Sequence, residues 1–303
     1  MIQFSDDDLS AFSRQGWVKL PIDQDPEKLI HFCKLVEKMV AQAKREGYPY
    51  GRIYQDILGC FNLTAVEAPF HSDVCPQSVL DLLSSLHLGE AIKQLNGWSD
   101  PCASLARLFC SGSIKHEGAW HRDSNERDAY LIVGIFLKDE TGFRILKKAT
   151  EEEVVKKVFG TTDMSKAVFS LPADIPKDNY DELDIKAGEV LFFDPAILHQ
   201  GHHTGARLNF HLGFRRNPAI GSELVRVKGF DFPILKAIHP EASESDRAKL
   251  PKLKRRLRNR LITTFNYFLP VMNFLSFSKI VLNQSDDQPR KVSILANTFY
   301  QRK

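Results

Sequence analysis

The 303-residue sequence has few cysteines, and none of them are paired at metal-ligating spacing. Its five cysteines, Cys33, Cys60, Cys75, Cys102 and Cys110, include no C-x-x-C. An odd number without that spacing argues against a disulfide framework and a zinc ribbon, and predicts reduced thiols in a cytoplasmic setting. A strong charge of one sign is also missing. Lys and Arg total 41 against 38 Asp and Glu, a net charge of +3. That is too small to imply nucleic acid, and no nucleic-acid partner is expected. The first residues, Met1 to Asp8, are acidic where a leader would be basic, so no targeting segment is expected. No apolar run is clean enough for a confident membrane span. Leu261 to Leu282 carries a single charge, Lys279, but Pro270 interrupts it, and Thr263, Thr264, Asn266, Asn273, Ser276 and Ser278 make it polar. Internal repeats and low-complexity runs are absent. What remains is ordinary: hydrophobic residues at 43% and charged residues at 26% exclude disorder. A chain of this length buries roughly three quarters of its unfolded surface and needs no staple to fold.

The first quarter reads as helix. Ser5 is placed to cap a helix that opens with three aspartates, where the helix dipole favours anions. Pro26 starts a second helix whose apolar residues Leu29, Phe32, Cys33, Val36, Met39, Val40 and Ala43 form one stripe, with Gly47 as its stop. A third helix is expected from about Pro76 to Gly97. Beyond residue 103 the pattern changes. Ser104 to Ser111, Tyr130 to Leu137, Gly188 to Phe193 and Arg207 to Arg215 are short apolar or alternating runs bounded by turn residues, which predict strands. Thr150 to Pro176 is polar and reads as a partly helical insertion between strands.

Chemistry is concentrated in three motifs. In Trp120-His121-Arg122-Asp123, residues i and i+2 of an extended strand point the same way, so His121 and Asp123 can converge on one ion. In Gly188-Glu189-Val190-Leu191-Phe192-Phe193-Asp194-Pro195-Ala196-Ile197-Leu198-His199, a glycine turn opens an apolar strand, Asp-Pro breaks it, and a histidine follows. Two histidines and one carboxylate form a facial triad that leaves three positions open on octahedral Fe(II). A zinc hydrolase site usually keeps only one. In Arg207-Leu208-Asn209-Phe210-His211-Leu212-Gly213-Phe214-Arg215, Arg207, Asn209 and His211 share one face and the apolar residues the other. Arg207 supplies a planar fork suited to a carboxylate. His116, His202 and His203 compete as ligands, but His199 directly ends the Phe-Phe-Asp-Pro strand.

Together these motifs, with the opening Asp6 to Pro21 segment, resemble the phytanoyl-CoA dioxygenase-like branch of the Fe(II)/2-oxoglutarate oxygenases over roughly residues 5 to 216. The resemblance implies an α+β chain with a double-stranded β-helix (jelly-roll, cupin-like) core, N-terminal helices and a C-terminal helical extension. It implies Fe(II), 2-oxoglutarate and O₂, with His121, Asp123 and His199 as iron ligands and Arg207 as the 2-oxoglutarate anchor. Trp120, Asn209 and His211 become candidate substrate contacts. The gap from His199 to Arg207 is short for this branch, which keeps Arg215 and Arg216 as fallback anchors. Gly142 to Thr150 (GFRILKKAT) replaces the P-G-S-H turn of relatives. Related halogenases lack the carboxylate present here as Asp123, so hydroxylation is favoured.

The tail suggests a separate role. Residues 247 to 260 hold eight basic side chains and no acid, and an apolar stretch follows. Such a segment suits an anionic membrane surface, and equally a helix packed on the barrel or against a second copy. The expected division is a dioxygenase domain over 1–239 and a basic, apolar helical extension over 240–303. The resulting expectation is a cytoplasmic hydroxylase, peripheral on the inner face of a membrane if the tail docks there. It would act on a small molecule or a lipid-linked one, such as an acyl group or the Kdo sugar of the lipopolysaccharide inner core. The competing reading is a non-catalytic cupin-like module that binds sugar or metal, for which Arg207 has no use.

Overall fold

Ser5 and Asp8 start the fold with a reciprocal cap. Ser5 Oγ accepts from Asp8 N at 3.2 Å, and Asp8 Oδ2 accepts from Ser5 N at 2.9 Å. The computed structural model describes residues 1–46, 53–55, 63–67, 76–99, 101–111, 116–117, 120–124, 127–159, 175–203 and 205–216. The expected stop at Gly47 and the extension over 240–303 lie outside the described residues. Helix α1 (Asp6–Gln15) ends at Gly16, whose φ of +80° is open to glycine at little cost. Strand β1 (Trp17–Pro21) follows, and then helix α2 (Pro26–Glu46), which buries Phe32, Val36, Met39 and Val40 along its predicted stripe.

The third expected helix is two helices. α3 (Gln77–Leu86) and α4 (Leu88–Asn96) meet at His87, which has a left-handed φ of 50°. The reason lies in the phase of the apolar residues. In one continuous helix Val79, Leu80, Leu82, Leu83 and Leu86 would share a face, and Leu88, Ala91 and Ile92 would fall on the opposite one. The break at His87 lets both sets reach the same core, where all are buried.

The described residues include eleven strands, some in the expected runs and several that the pattern did not show. In chain order they are β1, β2 (Ile53–Gln55), β3 (Leu63–Glu67), β4 (Pro101–Ser111), β5 (His116–Glu117), β6 (Tyr130–Phe136), β7 (Glu140–Leu146), β8 (Tyr180–Ile185), β9 (Glu189–Phe193), β10 (His199–His203) and β11 (Arg207–Arg216). Helix α5 (Glu151–Phe159) lies between β7 and β8, in the stretch read as an insertion. The strands form a seven-stranded sheet, β1-β9-β6-β11-β4-β3-β2, and a four-stranded sheet, β5-β10-β7-β8. Among the described residues, all strand pairings are antiparallel.

The large sheet is apolar on both faces, and each face has its own core. Leu131, Val133, Ile135, Val190, Phe192, Leu208, Phe210, Leu212 and Phe214 pack with the helices. The alternate residues Ile132, Phe136, Leu191 and Phe193 cluster with Phe143, Ile145, Leu183 and Ile185 of the small sheet. This explains why β6 reads as an unbroken apolar run, Tyr130 to Phe136, all of it buried. At about 1.5–3 kcal/mol for each large side chain removed from water, these two layers supply the main drive to fold. None of the described helices is long and apolar enough to cross a membrane.

Candidate metal centre

Backbone pairing brings the two distant motifs together. His121 and His199 exchange both of their backbone hydrogen bonds, each at 2.9 Å. Two residues on, Asp123 N donates to the carbonyl of Pro195 at 3.0 Å. The Asp-Pro break therefore does more than end β9. Its turn, closed by Ile197 N to Asp194 O at 3.1 Å and Ala196 N to Asp194 Oδ1 at 2.9 Å, presents the carbonyl that seats the H-x-D segment. Burial pushes the Asp194 carboxyl upward, against the hydrogen bond from Ala196.

The side chains of His121, Asp123 and His199 offer ligand atoms within 4.8 Å of one another, a set that could hold a metal ion. His121 Nε2 lies 3.8 Å from Asp123 Oδ1, and His199 Nε2 lies 3.6 Å from Asp123 Oδ2. Adjacent ligands with bonds of ~2.1 Å stand about 3 Å apart, so a small contraction would close the set around a cation. The donor set fits in chemistry as well. His199 Nδ1 is 2.9 Å from the Ile197 carbonyl, which assigns the proton to Nδ1 and leaves the Nε2 lone pair for the metal. Enclosure would raise the Asp123 carboxyl, but the hydrogen bond with His199 and the charges of His121, His199 and Arg107 outweigh it and hold the carboxylate ionised well below its usual range. The side chains of His116, His202 and His203 lie outside the described set.

Aromatic rings wall the site. Phe193 meets His199 edge-on at 5.1 Å between ring centres, and Phe143 lies 5.8 Å from the same ring. His211 sits among Phe109 (4.8 Å), Phe136 and Phe193 (both 6.5 Å). Burial, then the charge of Arg207, push its pKa down to about 3, so it is a neutral ring at ordinary pH. Trp120 is buried between Tyr180, 5.4 Å away, and the small-sheet core.

His199 begins a strand of the small sheet, whereas Arg207 belongs to the large one. It is buried at the start of β11, with its guanidinium 5.1 Å above the Phe109 ring and its Nε 3.2 Å from Glu140 Oε2. Asn209, fully buried, donates through Nδ2 to the same Glu140 oxygen. Arg215 and Arg216, the fallback anchors, are exposed at the far end of β11, with Arg215 over the Tyr130 ring at 5.3 Å.

Three residues near the site were not singled out from the sequence. Arg107 faces His211 across the β4–β11 pairing, and its charge acts on both Asp123 and His211. The alternation of β4 around Ala106 and Leu108 was the available signal. Glu140 and Glu151 carried none. Glu151, 1% exposed, accepts from Arg122 Nη2 at 2.7 Å, from Leu198 N at 3.0 Å and from Arg127. One carboxylate thus ties the residue between His121 and Asp123 to the residue before His199.

No protein-family model matches the chain. No curated protein matches it either. Among solved structures, AviO1 from Streptomyces viridochromogenes Tue57 superposes with a TM-score of 0.50 at 15% identity, over 70% of this chain and 95% of that one. The chain has the AviO1 fold. Weaker likenesses are SnoN, a non-heme alpha-ketoglutarate-dependent epimerase from nogalamycin biosynthesis (TM-score 0.49, 12% identity, 72% of this chain and 88% of that one), and HygX from Streptomyces hygroscopicus with nickel, 2-oxoglutarate and hygromycin B bound (TM-score 0.46, 10% identity, 72% and 87%).

Proposed function

We propose that this chain is an Fe(II)- and 2-oxoglutarate-dependent dioxygenase that hydroxylates an unactivated C–H bond of an organic substrate. The observation that carries the reading is the convergence of the His121, Asp123 and His199 side chains on one potential ion site, in a chain that also buries an arginine at the start of β11. The two-sheet architecture suits a double-stranded β-helix core, and the domain would span residues 1–239. His121, Asp123 and His199 would hold the iron through Nε2, a carboxylate oxygen and Nε2. The bound metal and co-substrate supply oxygen activation coupled to oxidative decarboxylation, with release of succinate and CO₂. The chain's own residues do the remaining work. Arg207 would pair with the distal carboxylate of 2-oxoglutarate. Asn209 and neutral His211 line the same face of β11. Phe143 and Phe193 flank the His199 ring, and Phe109 and Phe136 flank His211.

An acyl group or a lipid-linked sugar such as Kdo fits the resemblance in the motifs, and a basic tail over 247–260 would place the enzyme at an anionic membrane surface. Each basic residue close to such a surface contributes about 1 kcal/mol. Co-sedimentation with anionic and neutral liposomes at low and high salt tests the docking: equal binding to both lipids, or none to either, removes it.

The decisive experiment for the reaction is anaerobic addition of Fe(II) and 2-oxoglutarate. A weak visible charge-transfer band should appear, and admission of O₂ should release succinate. A protein that binds the metal but develops neither band nor succinate is a binding module instead.

A further inference from the structure

We propose that Glu140 is a positioning residue for Arg207: it holds the Nε side of the guanidinium so that the two terminal nitrogens face the distal carboxylate of the co-substrate. This rests on the co-substrate reading above. A carboxylate is an unexpected neighbour for a group meant to bind an anion, yet the fold goes out of its way to put one there. In the β7–β8 pairing, Glu140 is opposite Ile185 and Phe143 is opposite Leu183, so Thr141 and Gly142 together face the single residue Asp184. That bulge is made possible by Gly142 at φ +86°. Without the extra residue, strict alternation from Phe143 and Ile145 would turn Glu140 away from the space between the sheets. With it, Glu140 points inward and is 3% exposed.

Once inside, one oxygen does two things. Glu140 Oε2 accepts from Asn209 Nδ2 at 2.5 Å and lies 3.2 Å from Arg207 Nε as an ion pair, Nε itself being buried without a hydrogen-bond partner. Asn209 thereby fixes where that oxygen sits, and the Phe109 ring fixes the guanidinium plane. Among the described residues, no hydrogen bond or ion pair engages Arg207 Nη1 or Nη2. A planar fork held along one side and open at its tip is the geometry for a bidentate carboxylate.

The alternative is that Glu140 only neutralises Arg207. Two substitutions separate position from charge. Glu140→Gln removes the charge but keeps an oxygen that can accept from Asn209 and remain beside Arg207 Nε. Glu140→Asp keeps the charge and withdraws the oxygen by one methylene. The measurement is anaerobic titration of the Fe(II)-loaded protein with 2-oxoglutarate, and in parallel with 2-oxobutyrate, which has the same chelating head and no distal carboxylate. Positioning predicts 2-oxoglutarate affinity within about threefold of wild type, or tighter, for Glu140→Gln, and at least about tenfold weaker for Glu140→Asp. Affinity for 2-oxobutyrate should be unchanged in both, as it would not be if the fold had slackened. Wild-type affinity in Glu140→Asp, or loss in Glu140→Gln, overturns the proposal alone. If the wild type binds 2-oxobutyrate and 2-oxoglutarate equally weakly or not at all, the co-substrate reading falls and takes this proposal with it.

Discussion

His199 would bind a metal through the nitrogen that its own hydrogen bond leaves free. With Nδ1 committed to the Ile197 carbonyl, Nε2 is the only nitrogen that can bind. His199→Ala should abolish Fe(II) binding, read by anaerobic metal titration, while the melting transition persists; retained tight binding would remove His199 from the ligand set. Arg207→Lys keeps a cation but loses the fork, so 2-oxoglutarate affinity should fall about tenfold or more, consistent with ~1.5–3 kcal/mol for a charged hydrogen bond. The exposed Arg215→Lys serves as the control that should change nothing. His211 makes a pH prediction. Its folded pKa is lowered to about 3, chiefly by burial, from an ordinary value of 6.5. Between those values the unfolded chain binds the proton and the folded one does not, so stability falls as pH drops through this window. Urea melts of metal-free protein from pH 7 to pH 4 should show this loss, of the order of a few kcal/mol, and His211→Gln should flatten it.

Elements set the candidate ligands through their ends. β10 begins at His199, and the H-x-D segment reaches it by a two-residue bridge rather than a long ladder. Such a short pairing needs outside support, and helix α5 gives it through Glu151. Glu151→Ala leaves Arg122, 4% exposed, buried without this carboxylate partner, which costs about 3–5 kcal/mol where a buried pair is broken. Because Arg122 lies between two ligands and Leu198 precedes the third, metal affinity should also fall, by roughly 10–100-fold as for other outer-shell partners. Glu151→Gln, which still accepts from Leu198 N, should fall less. Equal metal affinity in all three proteins would reduce α5 to packing.

At the scale of the whole molecule, the large sheet is covered by helices on one face and by the small sheet on the other. The described residues of both cores all lie before residue 217. A chain ending at residue 239 should therefore melt cooperatively and bind Fe(II) and 2-oxoglutarate as the full chain does. If the proposed docking is right, the same truncation loses its salt-sensitive binding to anionic liposomes. Failure of the shortened chain to fold would show that the extension completes the core.

Short-range patterns determined much of this protein. Ser5, the aspartates and Gly16 carry the whole of α1, and period-two alternation places Arg207, Asn209 and His211 on one face of β11. The iron-ligand candidates were readable for the same reason: H-x-D and the Asp-Pro turn are local geometry. Other features depended on contacts between distant residues. The break at His87 was written in the shift of apolar phase between Leu86 and Leu88, but only a shared sheet makes that shift matter. Glu140 was invisible because a bulge reverses its face, and a bulge is defined by the strand across from it. Glu151 is one of three acids in the first turn of α5, where the dipole alone accounts for an acid. That it joins Arg122 to Leu198 was decided by tertiary structure, since a buried carboxylate must take whatever donors the packing brings within reach.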